Sequence, residues 1–179
     1  MRIKDKIIDR IREILTGGAN IEKLKKRGLK VGNNLWLGYG VSIDWTFCEL
    51  ITIGNNCTIT SKVHILAHDA STKKHLGYTK IGRVNIGDNV FIGVSTIILP
   101  NVQIGDNSII ASGSVVTRNV PMNEVWGGNP AKKICSLDEY LNKHSSQSVI
   151  TQEDWADENR RKNIIDSWEK NNSEMKYIE

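Results

Sequence analysis

Four histidines carry most of the acid–base capacity of this chain near neutral pH: His64, His68, His75 and His144. A neutral imidazole can take the proton from a hydroxyl as that oxygen attacks an electrophile. His68 is the main candidate, because Asp69 follows it and because a regular pattern in the chain breaks there. Asp69 fits two tasks equally, orienting an imidazole or holding the loop that follows. His64, His75 and His144 read first as surface residues. His64 and His68 lie four apart with no third His at a matching place, so no metal site is expected. Cys48, Cys57 and Cys135 are odd in number and lack CxxC spacing. That argues against a disulfide framework or zinc knuckle and fits a reducing compartment.

The elements that must position His68 come from a six-residue repeat. Val31, Leu37 and Ile43 are six apart, Ile53, Ile59 and Ile65 follow, and Ile86 opens a run through Ile92, Ile98, Ile104 and Ile110 to Val116, with Val120 at the fifth position of its hexad. The second position is often Gly, the fourth often Asn (Asn34, Asn56, Asn89, Asn101, Asn107), and the fifth small or aliphatic. Positions five and one are two apart, so in an extended segment both point inward and position six points out. Gly and Asn supply the backbone angles of the corner between. Six residues thus make one short strand and one turn, and the whole reads as a parallel β-helix. Rings do not fit its narrow interior, in keeping with an aromatic content of only 6%.

Two places break the period. Ile43 to Ile53 is four residues too long, and residues 71–79, STKKHLGYT, are extra. The latter read as a loop thrown out of the coil, and such loops carry function disproportionately. The ends read as helical: Ile3 to Leu15 at helical spacing before Gly17-Gly18, a short helix capped by Asn20 and ending at Gly28, one over 136–144, and one over 151–170. After Pro130 the strand pattern is expected to cease. The expected organisation is a helical segment over 1–28, a β-helix over 29–134 and a helical tail over 135–179. Charge divides the ends, with ten Lys/Arg against four acids in residues 1–30 and eight acids against five bases in 151–179. The net charge of +4 does not point to nucleic acid. No apolar run approaches membrane-spanning length and the charged N-terminus is no signal peptide, so a cytoplasmic protein is expected.

The hexads, AHD at 67–69 before an extruded loop, VNIGDNVFIG at 84–93, ASGSVVTR at 111–118 and GGNPAKKI at 127–134 resemble the hexapeptide-repeat acyltransferases. Within them the chain is similar to the maltose and galactoside O-acetyltransferases and to their branch in capsule and lipopolysaccharide biosynthesis. The resemblance covers about residues 29–134. It implies an all-β core forming a left-handed parallel β-helix, a homotrimer with sites in the clefts between subunits, acetyl-CoA as donor, and His68 as general base. Left-handedness is a family feature, since parallel crossovers are normally right-handed.

One coil of three hexads is 18 residues, so Val94, Ser112 and Pro130 share a corner if the coil stays regular. That column comprises Gly93, Val94 and Ser95, then Ala111, Ser112 and Gly113, then Asn129, Pro130 and Ala131. Its small residues and backbone groups suit a long, amide-bearing pantetheine arm. Matched by motif, Val94, Ser112, Thr117, Arg118 and Lys132 fall at positions that contact CoA in the family, with Lys133 and Trp126 as further candidates for the nucleotide. If the loop adds no corner, His68 lies on this same column; if it replaces a hexad, His68 moves to a neighbouring corner. The first case is the expected one. On the acceptor side the candidates are Asp44, Trp45 and Phe47 in the 44–50 insertion, a carboxylate with aromatics able to hold a sugar, with Asp69, His75 and Tyr78. The basic N-terminal helix caps the open coil or makes weak peripheral membrane contact. The expected activity is transfer of acetyl from acetyl-CoA to a sugar or glycoside hydroxyl. N-acetylation of an amino-sugar and a non-catalytic assembly module are the alternatives.

Overall fold

The computed structural model describes residues 19–145. The helices expected over 3–15 and 151–170 lie outside them. The chain divides into two compact units, residues 1–140 and 141–179.

The hexads fold as read, into strands two to three residues long, with a longer one at the end of the coils, that stack in three parallel sheets. The first sheet joins β1 (Lys30–Val31), β4 (Ile51–Ile53), β9 (Val84–Ile86) and β12 (Gln103–Ile104). The second joins β2 (Trp36–Leu37), β5 (Thr58–Ile59), β10 (Phe91–Ile92), β13 (Ile109–Ile110) and β15 (Glu124–Gly128). The third joins β3 (Ser42–Ile43), β6 (His64–Ile65), β11 (Ile97–Ile98) and β14 (Val115–Val116). Each coil crosses all three, and the first hexad position fills the axis with Ile53, Ile59, Ile65, Ile86, Ile92, Ile98, Ile104 and Ile110, all buried. The fifth position is buried as well, even where polar. Thr96 and Ser114 donate to the Ala111 carbonyl and Ser108 to that of Pro121, so these hydroxyls lose no hydrogen bond by burial.

The asparagines explain the corners. Asn34, Asn56, Asn89, Asn101 and Asn107 all have φ between 54° and 66°, the left-handed region that Asn tolerates better than most residues. Four of them continue into Asn123 as a ladder. Each side-chain amide donates to the next carbonyl, from Asn34 to Asn56, Asn89, Asn107 and Asn123, at 3.0–3.2 Å. Asn89→Ala removes two rungs and leaves an alanine at positive φ. The expected loss is about 1–3 kcal/mol in urea unfolding, and Asn89→Gly recovers the backbone part of it.

The register corrects three expectations. First, Ile65 pairs with Ile98, 33 residues on and 15 more than a regular 18-residue coil, so the excursion takes the place of a hexad besides adding the nine-residue loop. His68 therefore sits not on the column of Val94 and Ser112 but at the neighbouring corner, between the third and first sheets. Second, Ile104 bridges Val120 and Ile110 pairs with Trp126, both 16 apart. The last coil is two residues short, so Pro130 does not stack on Ser112; Gly127 and Gly128 occupy that level, with a Cβ built at Gly127 only 3.0 Å from the Ala111 Cβ. Third, strands do not stop at Pro130. The chain reverses there and β16 (Ala131–Ser136) pairs antiparallel with β15, covering an otherwise open sheet edge.

Short helices flank the coils. In α1 (Ile21–Lys25) the Asn20 side chain accepts from the Lys23 amide, Leu24 plugs the core, and Gly28 at φ +106° ends the turn. Helix α2 (Lys73–Leu76) lies in the extruded loop. Helix α3 (Leu137–His144) begins with a reciprocal cap, in which Ser136 donates its amide to the Glu139 carboxylate and accepts from the Glu139 amide.

Candidate active site

His68 opens the excursion. With Asp69 it forms β7 (His68–Asp69), antiparallel to β8 (Lys80–Ile81), so the loop leaves and returns through a two-stranded neck. Asp69 pairs with Lys80 at 2.6 Å and accepts from the Ser71 amide at 2.8 Å. Lys80, and then the Ser71 bonds, hold its carboxyl well below the ordinary carboxylate range. Of the two tasks open to Asp69, the geometry gives it the neck.

The carboxylate on His68 is Asp44. One Asp44 oxygen accepts from the amides of Thr46 (3.0 Å) and Phe47 (3.2 Å), closing the tight turn of the four-residue insertion. The other accepts from the Ala67 amide at 2.9 Å and from Nδ1 of His68. The Asp44 side chain is 1% exposed and that of His68 34%, so the pair has a buried end and an open end. Burial alone would raise the Asp44 carboxyl, but the bonds from His68, Ala67 and Phe47 outweigh it and lower it. A charged carboxylate on Nδ1 requires a proton there, which leaves Nε2 of the neutral ring as the free base. The Phe47 ring packs on the imidazole with centroids 5.3 Å apart.

This corrects the reading of Asp44 as an acceptor-binding residue, because both its oxygens are spent inside the fold. Trp45, next in the chain, is 45% exposed, with the Lys23 ammonium and the Arg27 guanidinium of the α1 region each 4.7 Å from its ring centroid. His75 and Tyr78 are exposed in the loop beyond the neck. Phe47, an acceptor-side candidate, packs on the imidazole instead, while Lys23 and Arg27 are not among the candidates the sequence offers. Only their closeness in sequence to the end of α1 hinted at them.

The CoA candidates fall on two edges of the prism. Gly93, Val94, Ser95, Ala111, Ser112 and Gly113 line the edge between the second and third sheets. There the Gly93, Ser95, Ala111 and Gly113 amides bond to neighbouring coils. Among the described residues the Val94 and Ser112 amides make no hydrogen bond, so this edge carries donors free to meet an amide-bearing arm or a developing oxyanion. Thr117 and Arg118 lie on the other side of the third sheet. They share His68's edge, since Leu66 bonds to Ile98 and Leu99 to Val116 in successive coils. Asn129, Pro130 and Lys132 are exposed at the β15–β16 reversal and Ala131 is buried there. Lys133 pairs with Glu124 at 2.7 Å while its side chain stays about half exposed, and Trp126 is buried with its indole N–H donating to the same carboxylate. Among the described residues no cluster of three or more His, Cys, Asp or Glu is placed to hold a metal, and no helix is long and apolar enough to cross a membrane.

Residues 83–118 match the bacterial transferase hexapeptide (six repeats) family. The chain is 48% identical over 127 residues to Protein CapG of Staphylococcus aureus, which covers 68% of this chain and 74% of that one. It is similar to the solved maltose O-acetyltransferase from Clostridium difficile 630, at 38% identity and TM-score 0.55, over 61% of this chain and 59% of that chain. The chain thus spans less than two thirds of that enzyme. The hexapeptide-repeat containing acetyltransferase VCA0836 of Vibrio cholerae shares the fold at TM-score 0.53 and 20% identity, over 72% of this chain and 88% of that chain. The fold held in common is the left-handed parallel β-helix.

Proposed function

We propose, for a chain that belongs to the hexapeptide-repeat bacterial transferases, that it transfers an acetyl group from acetyl-CoA to a hydroxyl of a sugar or glycoside in surface polysaccharide biosynthesis. The observation that carries this reading is the His68–Asp44 pair, with Nδ1 committed to a buried carboxylate and Nε2 free. The likeness to a maltose O-acetyltransferase supports the acetyl group and the sugar.

Acetyl-CoA, when bound, supplies a thioester carbonyl for attack and a thiolate as leaving group. His68 does the proton work: Nε2 takes the proton of the acceptor hydroxyl as its oxygen attacks, then returns it to the departing sulfur. Asp44 stabilises the imidazolium between these steps without taking the proton. The free Val94 and Ser112 amides suit the pantetheine amides and the carbonyl oxygen as it gains charge. Lys132 and Arg118 are exposed cations for the nucleotide phosphates. No cysteine takes part.

Because His68 and the Val94–Ser112 edge stand on different corners of one prism, the reading includes a homotrimer in which each site uses one corner from each of two subunits. The outer face of the second sheet suits such packing, since Trp36 is 56% and Phe91 42% exposed on it and Tyr39 and Val94 stand exposed at its margin. Calorimetry or thermal shift with CoA tests the donor. At about 100 times its dissociation constant, CoA is expected to stabilise the fold by about 2.7 kcal/mol. No shift, together with no acetyl transfer to a panel of matched hydroxy and amino sugars, would overturn the proposal.

A further inference from the structure

We infer that Lys23, Arg27 and Trp45 form an acceptor subsite for a glycosyl phosphate, so that the sugar acetylated is one carried on a phosphate rather than a neutral glycoside. This deepens the acyl-transfer reading and rests on it. Two cations converge on one ring, each 4.7 Å from its centroid, and the ring remains 45% exposed. Among the described residues neither cation has a carboxylate partner, and the nearby Glu22 is taken by Lys25 at 3.5 Å. The two cations, one on α1 and one in the turn after it, meet over a single ring and so concentrate positive charge at one place.

The cluster is built rather than draped. Leu24, between the two cations in sequence, is 1% exposed in the core. The Cys48 thiol lies 3.7 Å from both the Leu24 and the Arg27 carbonyls, pinning the helix to the insertion. Trp45 belongs to the same turn that Asp44 closes, two residues from the Phe47 that packs on His68. Two residues span at most about 7 Å, so the cations, the ring and the base lie along one short path. The exposed part of the indole beside them offers an apolar contact to a sugar, and an ammonium with a guanidinium takes its phosphate.

The test is equilibrium binding of glucose, glucose 1-phosphate, UDP-glucose, farnesyl phosphoglucose and inorganic phosphate. It uses the full chain, the Lys23→Gln/Arg27→Gln variant, and Lys26→Gln as a control on the same stretch. The expected result is at least tenfold tighter binding of the glycosyl phosphates than of glucose. That preference falls below twofold in the double variant and survives in the control. The tighter of UDP-glucose and the farnesyl compound distinguishes a nucleotide-borne from a lipid-borne sugar. Equal binding of glucose and glucose 1-phosphate overturns the inference, as does a preference that survives the double variant. Inorganic phosphate binding as tightly as glucose 1-phosphate also overturns it, because the cluster is then an anion site without sugar recognition. CoA binding is measured on the same wild-type sample; its absence counts against acyl transfer and leaves the charge preference readable by itself.

Discussion

His68→Asn lowers acetyl transfer by about 10²–10⁴-fold while leaving CoA binding and the thermal midpoint close to wild type. Asparagine keeps a donor in reach of the Asp44 carboxylate but has no lone pair able to take a hydroxyl proton. The variant therefore separates base chemistry from structure. His68→Ala loses the same activity and additionally leaves Asp44 without one of its four donors. Both substitutions fall at the open end of the pair, where the imidazole is 34% exposed, so neither opens a core cavity. The measurement is steady-state thiol release with a saturating sugar acceptor, beside CoA binding by calorimetry. Full activity in His68→Ala with an intact fold would remove the general-base assignment and the acyl-transfer mechanism built on it.

The contrast between His68 and Asp44 shows which information lies along the chain and which does not. The prism was legible because each hexad repeats the same local instruction: Asn at the fourth position adopts positive φ at Asn34, Asn56, Asn89, Asn101 and Asn107, and the first position is buried from Ile53 to Ile110. His68 was legible because it interrupts that repetition. Its partner was not, because Asp44 lies 24 residues away and meets it only after a coil closes. Asp69, adjacent in sequence, offered a local carboxylate that the fold sends to Lys80 instead. Register failed for a similar reason. Whether an extruded loop adds to a coil or replaces part of it depends on which residues re-enter the ladder, and the pairing of Ile65 with Ile98 makes it a replacement. The two-residue shortening before Val120 escaped because Val120 keeps the apolar character of an inward position while shifting level. The Ile65–Ile98 pairing is what sets His68 at a different corner from Val94 and Ser112.

Asp44 is the residue whose loss is expected to reach both activity and stability, and its two substitutions divide those effects. Asp44→Ala deprives the Thr46, Phe47 and Ala67 amides of their common acceptor. With the side chain 1% exposed, water does not replace it readily, and a loss of about 2–5 kcal/mol in unfolding free energy is expected. Asp44→Asn keeps the shape but must point an amide NH₂ at one group of donors. If that NH₂ faces His68, it hydrogen-bonds to Nδ1 as a donor and drives the ring proton to Nε2, where the ring can no longer accept one. The expected fall in kcat is on the order of 10²–10⁴ with little change in CoA affinity. As a positioning residue, Asp44 acts only through the ring, so Asp44→Asn combined with His68→Asn loses little more activity than either alone. Additive losses would mean that Asp44 contributes to the fold but not to the base. The pH dependence follows from the lowered carboxyl. A carboxylate held below its unfolded value of about 3.9 contributes stability that is fully present above that value and fades as pH falls through the folded one. The part of the stability gap between wild type and Asp44→Asn that comes from this carboxylate is therefore present at about pH 5 and closes as pH falls below about 4. Urea midpoints between about pH 5 and about pH 3 measure it, and a gap that did not close below about 4 would contradict a charged, paired Asp44.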